Sequence, residues 1–334
     1  MNTSRFLYFR NALITYFTKS SFQNFGIVVS ILAYSFLIYK LFTFNQYDKL
    51  VLQWKQMPLS QFWWLVGVLV LLPFNWYFES LKWKQLVSKV QKINLKNSFK
   101  SVLAGISTGF FTPNRIGDLV GRVIYLNAEN RKAGVTLSML NSLSQNLIMA
   151  VCGIPFCILF ISLNTRKFKI NLTLYLIILI LCLLIFGFVY FMLPQLSKRF
   201  KQKKNSEKIK SFTDCLLFYN KQDLLKILLI SLGRYVVFCV QFYLMLRFLN
   251  VGLSVQNAFI AIPTTYLLIT FTPSVAFSEI AVRSSFAVLV IGIFSSQIAS
   301  IAIASICIWI INFVIPMMVG TILMVRKKKQ ILLV

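Results

Sequence analysis

Six stretches of this chain are apolar over a length that reaches across a bilayer: about 24–43, 61–79, 134–162, 170–194, 226–249 and 297–324. A hydrocarbon core of about 30 Å takes about 20 helical residues to cross. Backbone groups that enter it must be paired within the protein, and continuous apolar runs achieve that as helices. The chain therefore reads as an all-α membrane protein. Charged residues are only 13% of the 334 and hydrophobic ones 58%, too few charges to cover a soluble surface of this size.

What is missing narrows the chemistry. The chain has no histidine, which removes Ser-His-Asp and Cys-His catalysis and His-ligated metal sites. The glycine patterns that cradle nucleotides are absent, and the six cysteines never form C-x-x-C. No enzyme activity, cofactor or metal is expected. Thirty-five Lys and Arg stand against eight Asp and Glu. In a membrane protein that excess points to loops facing anionic headgroups rather than to nucleic acid.

The positive charges also give an orientation. With the N-terminus in the cytoplasm, cytoplasmic segments hold 23 Lys and Arg and outer segments hold 5. That split places both termini and the loop 195–225 in the cytoplasm of a multi-pass cell (inner) membrane protein. Residues 1–23 read as a basic interfacial segment, 24–325 as one transmembrane domain and 326–334 as a basic tail. Trp54, Trp63 and Trp64 suit a belt at the outer interface.

Two further apolar regions, 98–127 and 257–293, are broken near the middle by Pro113 and Pro273. Their limbs are too short to span, so each is expected to be a re-entrant helical hairpin. Both breaks fall in Phe-Thr-Pro, at 111–113 and 271–273, and each is followed by an acid with an Arg four residues later: Asp118 and Arg122, then Glu279 and Arg283. Each hairpin lies between spans, in units 61–162 and 226–324, and the charge pattern makes the units opposite in sense. That is an inverted repeat, with a site near the midplane between the broken helices.

The motif has its own chemistry. Thr112 is expected to cap the second limb, with Pro113 as its first residue and Asn114 next. Thr272 and Pro273 would form the second tip. Arg115 then lies beside a dipole-positive helix start, where it can add a bidentate contact to a phosphate. The acid–Arg pairs share a helix face in the favourable order. Both tips are expected to meet at a central groove. Other polar residues on the spans are Asn75 with Glu79, Ser138, Ser142 and Gln145 beside Asn141 and Asn146, and Arg234 with Gln241. The candidate headgroup-binding set is Arg115, Asp118, Arg122, Glu279, Arg283, Arg234, Glu79 and Gln145. Gly105 with Gly109, and Gly117 with Gly121, form G-x-x-x-G on the two limbs of the first hairpin, a pattern for close packing.

The run Thr112-Pro113-Asn114-Arg115-Ile116-Gly117-Asp118 through Arg122, with Tyr125 and Leu126, resembles the signature of the lysylphosphatidylglycerol synthase transmembrane region, or flippase-like, family. Asn75-Trp76, Glu79 and Lys82-Trp83 are similar to its upstream element, and Pro273 through Glu279 to its second Pro…acid element. The resemblance implies six spans plus two hairpins and translocation of a phospholipid or lipid-linked headgroup. Members commonly carry Glu at the place of Asp118, and many an acid–Arg pair where this chain has Gln145-Asn146. A separate aminoacyl-transferase domain has no room before Val334, so synthesis of aminoacylated lipid is not expected.

The sequence thus points to a lipid flippase acting on an anionic headgroup. It also leaves open a small-solute secondary transporter, or a non-catalytic membrane partner of a lipid-modifying enzyme or glycosyltransferase. It does not specify the oligomeric state.

Overall fold

The structure, a computed structural model, describes residues 20–43, 47–110, 112, 115–164, 172–202, 214–274 and 278–332. The described residues are helical with turns and contain no strand. Helix α1 runs Ser20–Phe42 and α2 Tyr47–Lys55. A tight turn leads into α3, Phe62–Val87. The first broken region gives α4, Leu95–Phe110, and α5, Ile116–Gly121, which tightens into a 3₁₀ turn over Arg122–Tyr125. Then follow α6 at Arg131–Leu163, α7 at Leu172–Gln202 and α8 at Lys221–Phe248. The second broken region gives α9, Val255–Phe271, and α10, Ser278–Ile291. The last span is α11, Ile298–Trp309, a π-helical turn over Ile310–Val314, and α12, Ile315–Leu332.

Five segments are long and apolar enough to cross a membrane: Leu59–Val87, Ala128–Leu163, Ile177–Arg199, Lys221–Phe248 and Ile298–Arg326. They match five of the six expected spans, and the protein is a multi-pass membrane protein. The sixth, 24–43, lies in the 23-residue α1, whose side chains are described only from Ile31 onward. Two expected boundaries move. Helix α3 continues past 79 to Val87, so Glu79 sits inside it, and Lys82, counted among the flanking basic residues, is fully buried. Helix α7 continues to Gln202, carrying the basic end of the expected loop in helix, since Lys and Arg are good helix formers. Most of the expected N-terminal segment, and 203–213 within 195–225, fall outside the described residues.

Local chemistry fixes the starts of two helices. At α8, the Asn220 side chain accepts from the Asp223 N–H at 2.8 Å and the Asp223 carboxylate accepts from the Asn220 N–H at 3.2 Å, a reciprocal cap. Ser254 caps α9 through the Asn257 N–H at 3.2 Å.

The packing is reciprocal. Helix α3 lies against α8; α4 packs on α12, while α9 packs on α6. Interhelical polar contacts stitch these pairs where lipid offers no hydrogen bonds. Gln241 donates to the Val68 carbonyl at 3.0 Å between α8 and α3, and Ser107 donates to the Met317 carbonyl at 2.7 Å between α4 and α12. The apolar core runs through all of them, with Trp83, Leu86, Val102, Leu137, Ile227, Leu246 and Ile291 fully buried.

Candidate functional site

The Phe-Thr-Pro breaks act differently from expectation. The second limb of the first hairpin begins at Ile116, after an Arg115 cap, and in the second hairpin Pro273 and Ser274 are not helical. A residue before proline is pushed out of the helical region. Thr272 accordingly ends α9 in an extended conformation, with φ −93° and ψ 121°, and its hydroxyl turns back to the Leu268 carbonyl at 2.6 Å. In the second copy the motif therefore stops the first limb. Thr112 still serves the second limb, because its hydroxyl accepts from the Gly117 N–H at 2.8 Å. Pro113 and Asn114 lie outside the described residues. Helix α5 is six residues long, so little of the expected dipole is available to an anion.

The two limbs of the first hairpin are pressed together. Gly117 and Gly121 of α5 face the α4 backbone so closely that a Cβ on Gly121 would stand 2.5 Å from the Ala104 carbonyl oxygen, and one on Gly117 2.7 Å from the Thr108 carbonyl carbon. The Thr108 hydroxyl donates to the Gly117 carbonyl at 2.8 Å and locks the contact. Gly105 leaves room for the Asp118 carboxylate above α4. Gly109 lies beside Asp118 as well.

This packing delivers Asp118 and Arg122 to a buried carboxylate on α3. Arg122 grips Asp118 through two bonds of 2.9 Å and also lies 2.7 Å from Glu79. Glu79 is 1% exposed, so its charge survives only with close partners. It has four. Arg234 of α8 is 2.6 Å away, Lys82 3.1 Å, Arg122 2.7 Å, and the Asn141 amide of α6 donates at 2.8 Å. Asn75 supports Arg234 by accepting from its Nε at 2.8 Å, and in turn donates to Asn312 at 2.6 Å. Gln145 takes the Lys82 ammonium at 3.2 Å.

A second cluster gathers at the hairpin tips. Arg115 of the first hairpin reaches both Glu279 oxygens of the second, at 2.8 and 2.7 Å. Arg283, one turn after Glu279, binds the same carboxylate at 2.9 and 2.7 Å. Both guanidinium groups stack on Phe313, at 3.6 Å and 4.7 Å from its ring centre. Arg115 has no i+4 acid in its own helix; the other hairpin supplies one. Its backbone is left-handed, φ 57°, a conformation that costs a side-chain-bearing residue about 1–3 kcal/mol and persists where surroundings enforce it.

Between the clusters lies a cavity of about 150 Å³. Arg115, Asp118, Arg122, Glu79, Arg234 and Gln145 line it, with Asn141, Ser142, Asn146, Gly109 and the apolar Ile106, Phe110 and Phe313. Six of the eight candidate residues thus face one space. Glu279 and Arg283 stand behind Arg115. The Asn141 side-chain carbonyl, 2% exposed as a residue, has no hydrogen-bond partner among the described residues and offers an acceptor. Gln241 is elsewhere, bonded to the Val68 carbonyl.

A family model for the lysylphosphatidylglycerol synthase TM region matches residues 25–320. The chain belongs to the lysylphosphatidylglycerol synthase TM region family. The match covers both hairpins, both charge clusters and the cavity. No curated protein matches the chain. Within this member of the TM region family, the sequence did not single out Asn312 and Phe313. They lie on the π-helical turn of Ile310–Val314, a distortion common at functional sites; Asn312, a polar residue inside an apolar run, was the available signal, and nothing marks Phe313.

Proposed function

We propose that this protein carries the headgroup of an anionic lipid across the membrane, through the cavity between its two broken hairpins. One observation carries the reading: Arg115, Arg122 and Arg234 converge on a single cavity framed by membrane-long helices. A lone charge at the bilayer centre costs at least about 2.5–3.5 kcal/mol, so a cluster kept there calls for a use. Arginine is suited to phosphate because its fork donates two parallel bonds. Family membership, which links the chain to lipid handling, agrees.

The reading takes the two units as an inverted repeat. The reciprocal packing of α4 on α12 and α9 on α6, about the central α3–α8 pair, supports that symmetry. Rocking of one unit against the other would part Arg115 from Glu279 and pass the headgroup between faces. In this reading the protein lies in the cell membrane with both termini in the cytoplasm, which the Lys and Arg distribution supports. The chain is assigned no bond-making chemistry.

The test is leaflet exchange. Purified protein in liposomes should speed exchange of an anionic tail-labelled phospholipid well above protein-free vesicles; exchange equal to the protein-free rate rejects the reading. A second reading draws on a different observation: Lys82 and the four arginines of the clusters each already lie within 3.1 Å of a carboxylate. A fully paired interior suits a non-transporting partner of a lipid-modifying enzyme. Wild-type leaflet exchange above background would exclude it.

A further inference from the structure

The charges around the cavity do not balance. Glu79 and Asp118 face Lys82, Arg122 and Arg234 in one cluster; Glu279 faces Arg115 and Arg283 in the other. Each cluster is one positive charge in excess. Among the described residues no other acid makes up the difference. Of the eight Asp and Glu in the sequence, the remaining five are Asp48, Glu129, Glu207, Asp214 and Asp223. None of them lines the cavity or pairs with these five cations among the described residues. Arginine does not deprotonate in proteins. Lysine can, but the Lys82 nitrogen is surrounded as an ammonium, with the Glu79 carboxylate at 3.1 Å, the Gln145 side-chain oxygen at 3.2 Å and the Asn141 carbonyl at 3.4 Å. Those are three acceptors for three N–H donors.

Resting on the reading above, we infer that the substrate headgroup is a terminal phosphate, a phosphomonoester or diphosphate carrying about two negative charges and no cation. One negative charge is set against each cluster, with Arg115 on one side and Arg122 and Arg234 on the other. Cationic aminoacylated lipids are then poor substrates, because they would add like charge to a site already positive.

Full-length protein in phosphatidylcholine liposomes is tested with four tail-labelled lipids: phosphatidic acid, phosphatidylglycerol, phosphatidylcholine and lysyl-phosphatidylglycerol. Phosphatidic acid should exchange about tenfold faster than each of the others. Equal or faster exchange of any of the other three overturns the inference and leaves lipid transport standing. Arg283→Gln removes one positive charge without lining the cavity, and should narrow the phosphatidic acid to phosphatidylglycerol ratio. An unchanged ratio in a folded variant also counts against the charge argument. If no lipid exchanges, lipid transport fails, and binding decides the rest. Glycerol 1-phosphate binding to the detergent-purified protein with no phosphocholine binding would retain a terminal-phosphate site. No binding of glycerol 1-phosphate, or equal binding of both, overturns it. Uptake of inorganic phosphate into the vesicles would assign the site to a soluble anion and overturn the lipid source.

Discussion

The two hairpins carry the same short pattern, an acid and an Arg four residues later, and use it in opposite ways. In the first, one arginine is shared by two carboxylates: Arg122 lies between Asp118 and Glu79. In the second, one carboxylate is shared by two arginines: Glu279 lies between Arg283 and Arg115. The first arrangement is buried, with the Arg122 side chain 4% exposed, and ties the hairpin to α3 and α8. The second is at the tips, with the Arg115 side chain 35% exposed, and ties one hairpin to the other. A repeated motif therefore supplies a buried stitch in one copy and a more exposed junction between hairpins in the other.

The largest effect should come from the stitch. Glu79→Gln leaves Arg122, Arg234 and Lys82 with one carboxylate among them, Asp118. Breaking a buried ion pair costs about 3–5 kcal/mol, so this variant should be poorly recovered and aggregate on size exclusion. A monodisperse, wild-type-stable Glu79→Gln would remove the keystone role of Glu79. Next comes limb packing. Gly121→Val forces a side chain into the Ala104 carbonyl and should cost about 1–3 kcal/mol, read as a lower melting temperature in detergent. The second hairpin has no glycine in α9 or α10 before Gly292, so Ala281→Gly should be milder there. Equal losses would erase this difference between the hairpins.

The acids come third. The sequence implies that Asp118→Asn orphans Arg122 and harms folding. In the structure Arg122 keeps Glu79 at 2.7 Å, so Asp118→Asn should cost about 1 kcal/mol or less. Glu279→Gln strips the carboxylate from both Arg115 and Arg283, and should reduce transport more than Asp118→Asn does. Comparing their exchange rates at matched protein density checks the order; the reverse order would contradict the distinction between stitch and junction.

Much of this was legible in the sequence because membranes simplify folding. Run length alone marks five spans, and the repeated Phe-Thr-Pro marks the two breaks, whereas Pro73, Pro155, Pro194 and Pro263 lie inside continuous helices. Arg115, Asp118, Arg122, Glu79, Arg234 and Gln145 stood out as polar residues in apolar surroundings, and the fold brings them to one cavity. Three things were hidden. The helix start at Ile116 follows an Arg115 held in the left-handed region, and the Thr-Pro signal does not encode that. The Arg115–Glu279 pair joins residues 164 apart in sequence, and no local spacing encodes that. Phe313 takes its place under two arginines through a π-helical turn that shifts its register, and neighbouring residues give no sign of it.

The most direct test is Arg115→Gln. The substitution keeps most of the side-chain volume and removes the charge that faces the cavity and closes the tips. Because Arg115 is partly exposed, its melting temperature should stay near wild type. Leaflet exchange of an anionic lipid in liposomes should nonetheless fall at least about tenfold, equivalent to about 1.4 kcal/mol. A folded Arg115→Gln protein that exchanges lipid at the wild-type rate would contradict the assignment of Arg115 to the headgroup and of the hairpin junction to transport.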